Sequence, residues 1–231
     1  MKRETIEIGG TPVLLLGEKT EKCYLFVHGQ GGSREEAAAF AEIACEKGWQ
    51  VLSLDLPQHG ERKDEPGFDP WHIVPELRRI MDGVRPQYRR FALRANSIGA
   101  WFAMLAFEDQ PLERCLFVSA VVDMNRLIDT MMGWAGVTPQ QLESARFIPT
   151  DFGQTLSWEY FLYAKEHPVT EWKSPTFLLY GENDEMVKRR DIENFARKFG
   201  CGLTVTAGGE HWFHTPPQLE ALKRWEQENL D

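Results

Sequence analysis

The stretch RANSIGAWFA, residues 94–103, holds the clearest candidate for covalent chemistry in the chain. Ser97 stands where RRFALRAN, a run of strand character, passes into IGAWFAMLAF, a helical run so apolar that it must lie deep. A serine at the tip of a sharp strand-to-helix turn projects its hydroxyl. It can attack an acyl carbon once a base takes its proton and a third group holds that base in one tautomer. The usual spacing is Gly-x-Ser-x-Gly; here the outer positions are Ala95 and Gly99. Both are small, as the close approach of strand and helix requires, and Ala95 adds a single methyl. The competing reading makes Ser97 an ordinary helix N-cap.

Partners for Ser97 must come from other loops. Asp184 follows the strand-like run PTFLLYG in GENDEMV, and His211 follows the last strand-like run in GGEHWFHTPP. Asp184 also fits the N-cap of the helix behind it, with Asn183 and Glu185 as adjacent competitors, and Asp123 offers an acid one strand earlier. His214 competes with His211 for the role of base. His28 and His59 sit in glycine-bearing loops and read as residues that orient backbone; His72 and His167 read as surface or core. His211 and His214 lack the further ligands a metal would need, so no metal is expected. In HGQGG, Gly29, Gly31 and Gly32 let the backbone curl close to a ligand. The chain has neither Gly-x-Gly-x-x-Gly nor Gly-Lys-Ser/Thr, which argues against a nucleotide cofactor.

The elements that must bring these loops together alternate along the chain. ETIEI and TPVLLLG flank Gly9-Gly10 as a hairpin. CYLFVHG and WQVLSLD are strands buried on both faces, separated by a helix over 34–47 with Ser33 as its expected N-cap and Gly48 as its stop. A helix over 71–81 precedes RRFALRAN. RCLFVSAVV, PTFLLYG and LTVTAG supply three more strands, DIENFARKFG a helix closed by Gly200, and Thr215-Pro216-Pro217 opens a last helix running to Asn229. The pattern predicts an α/β class: a mostly parallel eight-stranded sheet with helices on both faces and an antiparallel hairpin at one edge.

Residues 123–174 break the alternation. They are too many for a simple connection and show helical spacing in MNRLIDTMMGWAG and GQTLSWEYFLYAKEHP, so they are expected to form a helical insertion after the sixth strand. The body is then 1–122 plus 175–231. Most of the bulky side chains of the insertion are expected to pack it onto the body. Met131, Trp134, Trp158 and Phe161 are the candidates to line a pocket above Ser97, since the insertion leaves the sheet at the edge where ligands of open parallel sheets bind.

Bulk properties narrow the function classes. The 231 residues suit one large domain, and with 42% hydrophobic and 12% aromatic residues the chain can bury a substantial core. The 26 basic and 35 acidic residues give −9 with no basic cluster, which disfavours nucleic acid and anionic membranes as partners. Cys23, Cys45, Cys115 and Cys201 are scattered in apolar segments, as in a reducing compartment. No apolar run has signal-peptide or membrane-span length, so the expected location is the cytoplasm.

Five pieces in one order, HGQGG, DLPQHGER, ANSIG, YGENDEMV and GGEHWF, resemble the α/β-hydrolase superfamily over nearly the whole length. The resemblance implies an α/β-hydrolase fold, a Ser97–His211–Asp184 catalytic triad and a cap domain at 123–174. It also implies an oxyanion site made by the backbone N–H groups of Gln30 and Ile98. No cofactor is implied. The expected substrate is a small to medium carboxylic ester cleaved through an acyl-enzyme; a peptidase, thioesterase or carbon–carbon bond hydrolase would use the same machinery, and a silent ligand-binding member is the rival of another class. Asp123, Glu182 and Glu185 near the presumed mouth could favour a positively charged substrate group or be plain solvated surface. Oligomeric state is open, with a dimer one option.

Overall fold

The computed structural model describes residues 1–231. The chain opens with β1 (Arg3–Ile8) and β2 (Thr11–Leu16), an antiparallel pair with Ile8 opposite Thr11. Gly9 and Gly10 have φ of 57° and 85°, the positive values that a two-residue hairpin turn requires. Next come β3 (Lys22–Val27), α1 (Ala37–Glu46), β4 (Gln50–Leu54), α2 (Pro70–Val84), β5 (Arg90–Asn96), α3 (Ile98–Phe107) and β6 (Arg114–Val118). An inserted segment holds α4 (Met124–Ala135), α5 (Pro139–Ala145), the hairpin of β7 (Phe147–Pro149) and β8 (Thr155–Ser157), and α6 (Trp158–Glu166). The chain closes with β9 (Thr176–Gly181), α7 (Arg189–Phe199), β10 (Gly202–Thr206) and α8 (Pro216–Asn229).

Eight strands form one sheet in the order β1-β2-β4-β3-β5-β6-β9-β10. All pairings from β4 to β10 are parallel, and β1 and β2 add the antiparallel edge. The alternation of each strand divides its side chains between two cores. Cys23, Leu25 and Val27 of β3 join the larger core with α2 and α3, whereas Tyr24 and Phe26 join the smaller one with α1 and α8. The inserted segment has no core of its own: Met124, Leu127, Ile128, Met132, Leu142, Leu156 and Phe161 belong to the larger core. No helix is long and apolar enough to cross a membrane.

Local details differ from the sequence expectation at three places. Ser33 makes no capping bond, and Arg34–Glu36 form a single 3-10 turn before α1. The buried Asp55, across the sheet edge, accepts from the Arg34 N–H at 2.8 Å and supplies the cap that Ser33 was expected to give. The second insertion helix starts at Trp158, not near Gly153, because Ser157 caps it by accepting from the Tyr160 N–H at 3.3 Å. The residues before it pair as β7–β8 across a turn at Thr150–Gln154, so the insertion is not purely helical. The additional helix α5 is opened by Thr138, Pro139 and Gln141, a full capping box.

Candidate active site

Ser97 sits between β5 and α3 with φ 48° and ψ −123°, a conformation costly for any residue with a Cβ. Its surroundings impose it. The Ser97 N–H donates to Val118 O at 2.9 Å, and the Ser97 carbonyl accepts from Ala100 at 3.1 Å and Val121 at 3.1 Å. The turn is thus bonded to the loop that leaves β6. Gly99 packs against the backbone of Val27 and His28, leaving no room for a side chain. Ala95, by contrast, sits fully buried in the strand, between Val27 of β3 and Phe117 of β6.

The hydroxyl of Ser97 lies 2.8 Å from His211 Nε2, and His211 Nδ1 lies 2.8 Å from Asp184 Oδ2. The other carboxylate oxygen, Oδ1, accepts from the Met186 and Val187 N–H groups, each at 2.9 Å. Those two bonds fix the carboxylate, whose side chain is wholly buried, while the imidazole keeps 17% exposure. One continuous relay therefore joins hydroxyl, imidazole and carboxylate, with Nδ1–H donating to Asp184 and Nε2 free to accept from Ser97. Asp123 has a different place: it caps α4 through the Arg126 N–H at 3.1 Å and is exposed. His214 turns to solvent, donating to Trp212 O at 2.7 Å and stacking on the Trp212 ring, which is 74% exposed.

The HGQGG turn runs beside Ser97, with the Gly29 Cα hydrogens facing the serine Cβ. Gln30 N–H makes no hydrogen bond within the chain, and Ile98, first residue of α3, has no carbonyl one turn back to receive its own. His28 is fully buried and fixed in one tautomer: Nδ1–H donates to Gly29 O at 2.7 Å, and Nε2 accepts from the Leu56 N–H at 3.0 Å. Burial lowers its pKa to about 4, keeping it neutral. Beneath the Ser97 turn, the buried Arg94 donates to Glu226 Oε1 at 2.8 Å and to Asn96 Oδ1 at 2.6 Å, and Asn96 in turn donates to Glu36 at 3.1 Å. Burial raises the Glu36 carboxyl above the usual range.

Of the expected pocket residues, Phe161 is buried in the larger core, Met131 and Trp158 lie partly buried against it, and Trp134 is 50% exposed, edge-on to Phe152. The stretch that holds Asp184, Met186–Asp191, shares a small cleft with Val121–Leu127, and Arg126 Nη1 of α4 reaches Asp191 Oδ1 of α7 at 3.4 Å. No group of three or more His, Cys, Asp or Glu is arranged to hold a metal ion.

Two features escaped the sequence. Ser119, one residue past β6 and next to Ser97 across the sheet, also has positive φ (49°), and its buried hydroxyl has no partner. Nothing local in VSAVV signals this. The Arg94–Glu226 pair joins residues far apart in sequence, and no short-range pattern encodes it.

A family profile described as Alpha/beta hydrolase family matches residues 24–222. No curated protein sequence matches. Among solved structures, Est1E from Butyrivibrio proteoclasticus with ferulic acid bound is 18% identical, with TM-score 0.79 over 98% of this chain and 97% of that one. Alpha/beta hydrolase domain-containing protein 10 from mouse is 14% identical, with TM-score 0.76 over 100% and 99%. The Pyrococcus furiosus esterase PF2001 is 18% identical, with TM-score 0.70 over 99% and 90%.

Proposed function

Because the chain belongs to the alpha/beta hydrolase family, we propose that it is a serine hydrolase acting on small to medium carboxylic esters through an acyl-enzyme. The observation that carries this reading is the relay from Ser97 Oγ through His211 to Asp184, both links at 2.8 Å. His211 Nε2 takes the hydroxyl proton as Oγ bonds to the acyl carbon, and the carbonyl oxygen gains negative charge. The N–H groups of Gln30 and Ile98 receive that oxyanion. Asp184 steadies the imidazolium, which returns its proton to the departing alkoxide as the ester C–O bond breaks. Water, deprotonated by the same imidazole, then attacks the acyl-serine, and the acid leaves as Ser97 Oγ is reprotonated.

The 123–174 segment acts in this reading as a roof whose aromatic and methionine side chains take the acyl or alcohol group. Est1E, bound to ferulic acid, supports including an aromatic acyl ester in a first panel, with methyl ferulate beside short p-nitrophenyl esters. Ser97→Ala is expected to cut kcat by roughly a million-fold while leaving the melting curve intact, and a fluorophosphonate probe is expected to label Ser97 alone. Undiminished turnover by Ser97→Ala would rule the reading out.

A further inference from the structure

We propose that His59 is a positioning residue for the oxyanion turn, a role that rests on the serine-hydrolase reading above. Gln30 sits between two rigid peptide planes. The first contains Gly29 C=O and, opposite to it, the Gln30 N–H; His28 grips it through Gly29 O. The second contains the Gly31 N–H, which donates to His59 Nε2 at 2.9 Å. His59 is itself fixed, because its Nδ1–H donates to Pro57 O at 2.9 Å, leaving Nε2 as a bare acceptor. One imidazole thus holds each plane, and the Gly32 N–H, donating to Gly29 O at 3.1 Å, closes the same turn around Gln30 and Gly31.

The placement of His59 is built, not incidental. Its ring is 6% exposed and packed between His28, at 5.1 Å, and Phe68, at 4.5 Å, which in turn meets Phe102 of α3 edge-on. The flanking residues Gln58 and Gly60 both have positive φ, 65° and 52°, bending the loop so that the imidazole faces the turn. Asp55 holds the far end by accepting from the Glu61 N–H at 3.1 Å, and Arg62 donates to Asp55 O at 2.9 Å. Gly31 carries φ 73° and is exposed, so without the His59 acceptor its plane can rotate toward water. Such rotation loosens the turn that presents the Gln30 N–H. The loss falls on the transition state, where the oxyanion forms, and not on ground-state binding.

The test compares His59→Leu, which removes the acceptor, with His59→Gln, whose carboxamide oxygen can take the Gly31 N–H. On an ester that the wild type turns over through Ser97, His59→Leu is expected to lower kcat by about tenfold with KM within about twofold. Affinity for an arylboronic acid, which forms a tetrahedral adduct, should fall by a similar factor, and His59→Gln should recover most of both. Wild-type kcat in His59→Leu overturns the proposal. So does an equal loss in both variants accompanied by a lowered melting temperature, which marks packing alone. A wild type with no Ser97-dependent turnover overturns the hydrolase reading instead, and the role of His59 with it.

Discussion

Replacing Gly99 with alanine tests whether the Ser97 turn of the proposed hydrolase works by close packing. A Cβ at position 99 would lie 2.8 Å from Val27 O and nearer still to His28 O, backbone atoms at the end of β3 and the start of the HGQGG turn. Ordinary van der Waals contact begins at 3.4 Å, so α3 and β3 must separate by about 0.6 Å or more. Overpacking of this kind costs about 1–3 kcal/mol, a loss of about 2–12 °C in Tm for a domain of this size. The same movement draws Ser97 and Ile98, on one side, away from Gln30 on the other. Displacements approaching 1 Å in a reacting constellation cost up to about a hundredfold, so kcat/KM for a p-nitrophenyl ester is expected to fall between about tenfold and a hundredfold. Ala95→Gly is the control. It removes one buried methyl and adds backbone entropy, costing about 1–2 kcal/mol, and should leave kcat/KM within about threefold. If Gly99→Ala melts and turns over like the wild type, the packing logic fails; if Ala95→Gly loses as much activity, the asymmetry inferred between the two positions fails.

Two further expectations concern groups beneath the site. Glu226→Ala leaves the Arg94 guanidinium charged, 2% exposed and short of its partner, and is expected to cost about 3–5 kcal/mol in urea unfolding. The double variant Arg94→Met, Glu226→Leu should recover most of that loss, and a single variant as stable as the wild type would contradict the account. His28, with its pKa lowered to about 4 by burial, makes stability pH-dependent: below about pH 6.5 the unfolded chain takes up a proton that the folded chain refuses. The His28 contribution is therefore complete above pH 6.5 and falls by about 3 kcal/mol as pH drops to 4. Urea midpoints for the wild type and His28→Gln measured across this window should converge as pH falls; parallel curves would refute it.

Much of the architecture could be read from local patterns. Continuous apolar runs such as KCYLFV and QVLSL mark central strands, Gly9-Gly10 forces the hairpin, and Gly200, at φ 68°, closes α7. Ser97, Asp184 and His211 stood out because each follows a strand. Their hydrogen-bond distances are a property of the assembled sheet. What remained hidden depends on contacts distant in sequence. Asp55 replaces Ser33 as cap because the end of β4 lies beside Arg34. Ser119, whose N–H donates to Leu179 O on β9 at 2.9 Å, has a positive φ that no local residue pattern marks. GQTLS, read as the start of a helix, instead pairs with FIP as β7–β8, across a turn in which Thr150 donates to Gln154 O at 2.6 Å.

The Asp184 carboxylate accepts from Met186 and Val187, and this short strap faces the first turns of α4 across a small cleft, tied to them by Arg126 and Asp191. In the proposed serine hydrolase, a guest that displaced α4 would also move the amides that hold Asp184, and oversize would then register as slower acylation.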